Sequence, residues 1–211
     1  MSLENNVLLG CLWLFYFAMH SVLANDSIKK RIFRRIPQIE IGYRILYNFV
    51  AVIFLIPLIY ILYFTPSPNI VHWEGFSKQV CNVIAILAML GFLYSLKFYN
   101  MRHFLGFEQL QHRSNENSDT FTISPLHRFV RHPWYSFALI IIWTRDMNVH
   151  FLISAVFMTA YFFIDARMEE QKLVKQFGES YQTYMNLVPG IIPSFRRYLT
   201  RSQAATFSKK D

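Results

Sequence analysis

The stretch FVRHPWYSF (residues 129–137) stands where a polar segment meets an apolar run, and it fixes the start of a helix. Arg131 and His132 precede Pro133, and two aromatic residues follow it. Proline suits the first turn of a helix, because the amide hydrogen that it lacks would have no partner there. The pattern predicts a helix from Pro133, with His132 at the positive end of the helix dipole. These residues also fit simple anchoring at a membrane surface, so alone they leave both interpretations open.

The composition around this stretch is that of a membrane protein. Of the 211 residues, 54% are hydrophobic, 18% are aromatic and only 16% are charged, whereas about 25% are charged in an average soluble domain. Five apolar segments recur along the chain, and the longer of them could cross a bilayer, whereas the last two are short. They are residues 6–24, 43–64, 79–99, 134–145 and 149–165. The sequence predicts an all-α integral membrane protein with about five transmembrane helices, ending in a helical hairpin and a cytoplasmic amphipathic helix.

The distribution of charge predicts the orientation of these helices. The net charge is +8, and the basic residues concentrate in the first loop (24–43), the third loop (97–131) and the C-terminal tail. Cytoplasmic loops of membrane proteins are enriched in Lys and Arg, so we expect the N-terminus outside and the C-terminus in the cytoplasm. The charge indicates contact with anionic membrane lipid and not with nucleic acid, because no soluble segment carries basic repeats interleaved with aromatic residues. No obligate protein partner is evident.

Neither metal binding nor disulfide chemistry is indicated. Cys11 and Cys81 both lie within apolar segments and form no CxxC pair or zinc-binding spacing. Buried, inert thiols are the simpler interpretation. We therefore predict no metal site.

The sequence after the last apolar segment continues the helical pattern into the tail. Apolar positions repeat at helical spacing up to Gly178, a suitable residue to end a helix, and a second short helix is predicted over Glu179–Leu187. Four charges crowd residues 165–170, where the helix leaves the membrane. Local ion pairs such as Arg167 with Glu170 would explain them. The alternative is that the hairpin brings Glu170 to His132 at one cytoplasmic opening.

Two longer stretches carry a family resemblance. FVRHPWYSF and MTAYFFIDARMEEQKLVKQFGESYQTYMNLVPGIIP (158–193) resemble the C-terminal signature of the isoprenylcysteine carboxyl methyltransferase superfamily. That signature reads RHPxY, a helical hairpin, EExxL, then FGxxYxxYxxxVPxxIP. FAMHSVLANDSIKK (17–30) and FYNMRHFLGFEQL (98–110) are similar to the branch that contains nurim, NnrU and the methanethiol S-methyltransferase-like proteins. Phe137 and Gly190 depart from the pattern, which often has glycine and arginine at these places.

The resemblance implies that S-adenosyl-L-methionine binds in a cytoplasm-facing pocket of the C-terminal half, and that a methyl acceptor enters from the membrane. A sulfonium cation is attracted to aromatic rings and carboxylates. The residues expected at the cofactor are His132, Pro133, Tyr135, Glu169, Glu170, Tyr181 and Tyr184. The expected catalytic residues are Arg167 and Glu170, with Arg167 orienting or activating the acceptor. Those expected at the acceptor are Arg167, Asn100 and His103.

The resemblance also implies one domain, residues 1–211. It comprises three N-terminal membrane helices (1–99), a cytoplasmic loop (100–133) and a cofactor-binding hairpin and tail (134–195). The expected activity is methyl transfer from S-adenosyl-L-methionine to a small thiol or lipophilic acceptor, with membrane lipid as surroundings. Transfer to a prenylcysteine carboxylate or to a phospholipid amine remains open. A non-catalytic, nurim-like membrane protein is the alternative from another class.

Overall fold

The computed structural model of the protein describes residues 3–110, 121 and 123–207, and helices dominate it. The helices are Leu3–Ala24 (α1), Asp26–Arg35 (α2), Tyr43–Phe64 (α3), Gly75–Ser95 (α4), Met101–Leu105 (α5), Phe107–Leu110 (α6), Pro133–Trp143 (α7), Val149–Phe177 (α8), Glu179–Leu187 (α9) and Arg201–Phe207 (α10). Two short strands, Asn69–Val71 (β1) and Met147–Asn148 (β2), pair antiparallel. The predicted all-α fold is confirmed. Residues 111–120 and 122 of the predicted loop 100–133 lie outside the described residues.

Among the described helices, four are long and apolar enough to cross a membrane: α1, α3, α8 and the helical stretch Gly75–Phe98. The predicted multi-pass membrane protein is therefore confirmed. The fourth predicted segment forms the shorter helix α7, which has 11 residues. At about 1.5 Å per residue it is ~17 Å long, about half of a ~30 Å hydrocarbon core. Of the roughly five membrane helices expected, α7 is thus too short to cross unaided.

The chain divides into two compact units that alternate along the sequence. The first unit contains the described residues of Met1–His72, Tyr99–Asn115 and Asp146–Met158, and the second contains those of Trp73–Phe98, Glu116–Arg145 and Thr159–Asp211. In the first unit α1 packs against α3, and the indole nitrogen Nε1 of Trp13 donates to Ser154 Oγ at 2.9 Å. This bond satisfies a buried polar group within an apolar core.

In the second unit α4 packs closely against α7 because Gly91 has no side chain. A Cβ at Gly91 would lie 2.6 Å from the ring of Phe137. One turn away, Trp134 Nε1 donates to the buried Ser95 Oγ at 2.7 Å. The two contacts fix the first turns of α7, which carry the candidate site.

The C-terminal helices follow the prediction closely. Helix α8 continues to Phe177, and Gly178 adopts a positive φ of 58°, which favours glycine. Helix α9 then spans the predicted residues, and Val188 and Leu199 join its tyrosines in a buried core. The predicted hairpin is present, because Trp143 Nε1 near the end of α7 donates to Thr159 Oγ1 of α8 at 3.0 Å.

Candidate functional site

His132 immediately precedes α7 and contacts two carboxylates of α8. Its Nε2 lies 3.0 Å from Glu170 Oε1, and its Nδ1 lies 3.3 Å from Glu169 Oε2. The His132 side chain is only 6% exposed. Because each ring nitrogen faces an acceptor, the geometry fits an imidazole that carries a proton on both nitrogens. The helix start predicted at Pro133 and the predicted meeting of His132 with Glu170 are both present in the fold.

Arg131 completes a buried cluster around the same carboxylate. Its Nε donates to Glu170 Oε1 at 2.7 Å, and its Nη1 donates to the carbonyl oxygens of Met185, at 2.9 Å, and Val188. The side chains of Arg131 and Glu170 are 11% and 9% exposed. Among the described residues, none donates to the second oxygen of Glu170, Oε2. One oxygen is thus shared by two cationic groups while the other is left for a further donor.

The two histidines near this cluster differ in protonation. Burial lowers the pKa of His132, but hydrogen bonds and charge from Glu169 and Glu170 outweigh it and raise the pKa to about 9. Burial and the charge of His132 lower the pKa of His127 to about 4. At neutral pH, His132 is therefore an imidazolium, and His127 is a neutral ring whose Nδ1 lies 2.6 Å from Ser124 Oγ.

The segment after α9 closes over this cluster through the backbone. The amide of Arg131 donates to Pro189 O at 2.9 Å, and that of His132 donates to Gly190 O at 3.0 Å. A Cβ at Gly190 would lie 3.4 Å from Arg131 Nη2 and 3.8 Å from Glu170 Oε1. Both distances are ordinary van der Waals contacts, so Gly190 lies directly against the Arg131–Glu170 pair.

Tyr135 is held between aromatic and acidic neighbours. Its ring stacks on His132, with centroids 5.4 Å apart, and on Phe162, with centroids 4.8 Å apart. Its hydroxyl donates to Asp165 Oδ2 at 2.5 Å. Sequence analysis placed Asp165 among the charges at the end of the membrane helix but assigned it no role. The antiparallel register of the hairpin is the signal that could have paired it with Tyr135.

The two predicted tyrosines of α9 have different surroundings. Tyr184 is buried, and its hydroxyl donates to the carbonyl oxygen of His127 at 2.6 Å. Tyr181 is equally buried, but its hydroxyl has no hydrogen-bond partner among the described residues. Burial and the nearby charge of Glu170 raise the pKa of Tyr181. Tyr184 thus has a structural bond, whereas Tyr181 keeps an uncommitted hydroxyl near the cluster.

Arg167 is exposed and, within the part of the chain that the structure describes, forms no hydrogen bond or ion pair. The local pair of Arg167 with Glu170 considered from the sequence is absent there, because Arg131 and His132 occupy the Glu170 oxygen. The guanidinium of Arg167 therefore remains available to a ligand.

Asn100 and His103 lie in the first unit, in a polar cluster of their own. Arg44 Nη1 donates to His103 Nε2 at 3.0 Å, and Asn100 Nδ2 donates to Glu108 Oε1 at 2.8 Å. Glu108 Oε2 lies 3.5 Å from His103 Nδ1. Sequence analysis missed Arg44 and Glu108, since a lone Arg and a lone Glu carry no local signal of this contact.

Among the described residues, no group of three or more His, Cys, Asp and Glu side chains is arranged to hold a metal ion. The cluster of Arg131, His132, Glu169 and Glu170 instead balances two cations with two anions. Such a set can bind a small charged molecule by exchanging internal ion pairs for ligand contacts.

Comparison with known proteins identifies relatives of one kind. A methanethiol S-methyltransferase of Pseudomonas deceptionensis is 41% identical over 73 residues, which are 34% of this chain and 28% of the relative. One from Crocosphaera subtropica is 28% identical over 201 residues, covering 91% of this chain and 76% of the relative. Methanethiol S-methyltransferase 2 of Bradyrhizobium diazoefficiens is 33% identical over 78 residues, 36% of this chain and 30% of the relative.

The first and the last of these matches span less than a third of the relatives' length. No family model matches the chain, and no solved structure matches it. The relatives agree with the resemblance carried by the sequence motifs. The chain is thus similar to membrane proteins named methanethiol S-methyltransferase, as the motif resemblance led us to expect.

Proposed function

We propose that the protein is a membrane methyltransferase that transfers a methyl group from S-adenosyl-L-methionine to a small thiol. The observation that carries this proposal is the buried cluster of Arg131, His132 and Glu170. It joins the RHPxY and EExxL motifs, which stand 38 residues apart at His132 and Glu170. A non-catalytic helix would satisfy its charges locally or in water, whereas this cluster desolvates them together.

The residues present fit this cofactor. Glu169, whose side chain is 52% exposed, and the unpartnered Oε2 of Glu170 are acceptors for an ammonium group or ribose hydroxyls. Arg131 and His132 are cationic donors for a carboxylate. The stacked rings at Tyr135 offer a favourable setting for a sulfonium cation. When bound, the cofactor supplies an activated methyl group.

The chain's own residues bind and orient the cofactor and the acceptor, and they exclude water from the site. We assign cofactor binding to the set predicted from the sequence: His132, Pro133, Tyr135, Glu169, Glu170, Tyr181 and Tyr184. The carbonyls of Pro189 and Gly190 hold the backbone of the RHPxY motif, so the motif is positioned before any ligand arrives.

We assign acceptor activation to Arg167, with Glu170 as the other catalytic residue. A thiol reacts as its thiolate, and a neighbouring guanidinium favours the thiolate by lowering the thiol pKa. Arg167 is exposed and free of ion pairs among the described residues, as this role requires. The assignment of Asn100 and His103 to the acceptor stays a prediction from the resemblance.

The names of the relatives, which specify methanethiol, support a small thiol as the acceptor. Transfer to a prenylcysteine carboxylate or a phospholipid amine would give an ester or a methylated amine instead of a thioether, so the product distinguishes these alternatives. We further propose that the N-terminus lies outside and that the C-terminal tail with the cofactor site lies in the cytoplasm. The basic loops and tail support this orientation.

Calorimetric titration of S-adenosyl-L-methionine into the full-length protein in lipid nanodiscs tests the cofactor site. We expect saturable binding by the parent protein and its loss in Glu170→Ala. The matched control is Glu108→Ala, which removes a glutamate from the other Arg–His–Glu cluster and should leave binding unchanged. A folded parent protein that fails to bind would overturn the enzyme proposal and favour a non-catalytic, nurim-like role.

A further inference from the structure

The segment Ile192–Tyr198, here called the tail loop, is a short surface loop with hydrogen bonds to the rest of the fold just before and just after it. Just before it, the carbonyl oxygen of Ile191 accepts a hydrogen bond from Ser136 Oγ in α7. Just after it, Leu199 and Arg128 exchange two bonds, Leu199 N to Arg128 O and Arg128 Nε to Leu199 O, both 2.9 Å. The loop is therefore anchored to the fold at both ends.

The tail loop exposes large apolar side chains. Ile192 is 67% exposed, Tyr198 48% and Phe195 fully exposed, at the tip of a turn closed by a bridge between Ser194 and Arg197. Phe129 is also exposed, and its ring stacks on Tyr198 with centroids 6.0 Å apart. Several exposed apolar side chains on one anchored loop are suited to an apolar surrounding.

The charge beside this patch is positive. Residues 191–207 contain Arg196, Arg197 and Arg201 and no acidic residue. Arg197 Nη2 donates to the carbonyl oxygens of Met185 and Asn186, at 3.0 and 2.8 Å, so it holds the loop on the end of α9. Arg196 is exposed next to Phe195. Aromatic and apolar side chains flanked by arginine suit the boundary between lipid headgroups and acyl chains.

The position of the loop along α7 points to the same surface. Pro133 begins the apolar helix α7, and Ser136 lies one turn further along it. Because Ser136 bonds the carbonyl oxygen of Ile191, the chain enters the tail loop at the level where α7 has already become apolar. Since other described helices are long and apolar enough to cross a membrane, we place this level at the edge of the bilayer.

We propose that the tail loop docks on the anionic lipid surface, with Ile192, Phe195 and Tyr198 inserted among the lipids and Arg196 facing their phosphates. The loop follows directly on Pro189 and Gly190, whose carbonyls hold Arg131 and His132. Docking therefore ties the segment that closes the candidate site to the membrane. The inference does not depend on the proposed methyl transfer.

The test uses a fluorescent probe in full-length protein with Cys11→Ala and Cys81→Ala. A nitrobenzoxadiazole group is attached at Phe195→Cys, or, as the control, at Gln182→Cys, an exposed polar position of α9. Both proteins are placed in nanodiscs of phosphatidylcholine, with or without phosphatidylglycerol. Interfacial side chains lie about 5–10 Å into the headgroup and acyl boundary. We therefore expect blue-shifted emission at 195, quenched by lipids with a nitroxide near the headgroup, and unshifted, unquenched emission at 182.

Phosphatidylglycerol should increase the quenching at 195, and Arg196→Ser should abolish that increase. Phe195 is fully exposed, so its replacement does not endanger folding. Emission at 195 that matches the control at 182 in every lipid would overturn the proposal, and the loop would then be a surface for some other partner. Quenching that is equal with and without phosphatidylglycerol would overturn the role of anionic lipid.

Discussion

Each unit of the molecule contains an Arg–His–Glu cluster, and the two clusters differ in burial and in their hydrogen-bond partners. In the second unit, His132 is 6% exposed and faces carboxylates on both ring nitrogens. In the first unit, His103 is 38% exposed, and one ring nitrogen accepts from Arg44. Equal residue types therefore have different hydrogen-bond partners in the two clusters.

The difference separates buried charges from partly exposed ones. Buried charges are retained at a cost, and each depends on its partners. Ion pairs that water reaches are screened and contribute less. We therefore expect substitutions in the buried cluster to have large, coupled effects, and matched substitutions in the partly exposed cluster to have smaller ones.

The largest expected effect is that of Glu170→Ala. Removing this carboxylate leaves Arg131 and His132 without their shared partner, so we expect the free energy of unfolding to fall by about 3–5 kcal/mol. Glu108→Ala, the matched change in the partly exposed cluster, should cost less, about 0–1 kcal/mol. Chemical unfolding in detergent, followed by circular dichroism, measures both. An equal loss of unfolding free energy in the two variants would contradict the proposed difference between the clusters.

The second prediction concerns pH and His132. Its pKa in the folded protein is about 9, above the ordinary 6.5, so its imidazolium stabilises the fold fully below about pH 6.5. That stabilisation, on the order of 1–3 kcal/mol, is lost as the pH rises through about 9. Unfolding measured from pH 6 to 10 should show this decline in the parent and a flatter profile in His132→Gln. A His103→Gln variant that flattens the profile equally would contradict the assignment to His132.

A smaller effect separates the two tyrosines of α9. Tyr184→Phe removes the bond to the carbonyl oxygen of His127, so we expect a loss of about 1–2 kcal/mol in unfolding free energy. Tyr181→Phe removes a hydroxyl with no described hydrogen-bond partner and should change stability by less than about 0.5 kcal/mol. If Tyr181 contacts the cofactor, this variant should still bind it more weakly in calorimetry. Unchanged binding would remove Tyr181 from the site.

The parts of the fold that could be predicted from the sequence are those with local signals. Pro133 specifies the start of α7, and Gly178 specifies the end of α8. The hairpin and its two motifs were enough to predict the meeting of His132 with Glu170, because antiparallel neighbours place their ends together.

What sequence analysis missed depends on contacts between distant segments. Arg131 donates to the carbonyls of Met185 and Val188, and Tyr135 donates to Asp165. Neither contact follows from spacing along one helix. The shortness of α7, in contrast, could be predicted, because the fourth apolar segment covers only residues 134–145 before a polar turn begins at Thr144.

The central claim is methyl transfer to a small thiol at the Glu170 cluster, and a labelled methyl group tests it most directly. The parent protein in nanodiscs is incubated with methanethiol and S-adenosyl-L-methionine that carries a deuterated methyl group, and the headspace is analysed by mass spectrometry. The account predicts dimethyl sulfide with one deuterated methyl group from the parent and none from Glu170→Ala. Folded parent protein that gives no labelled thioether would contradict the account.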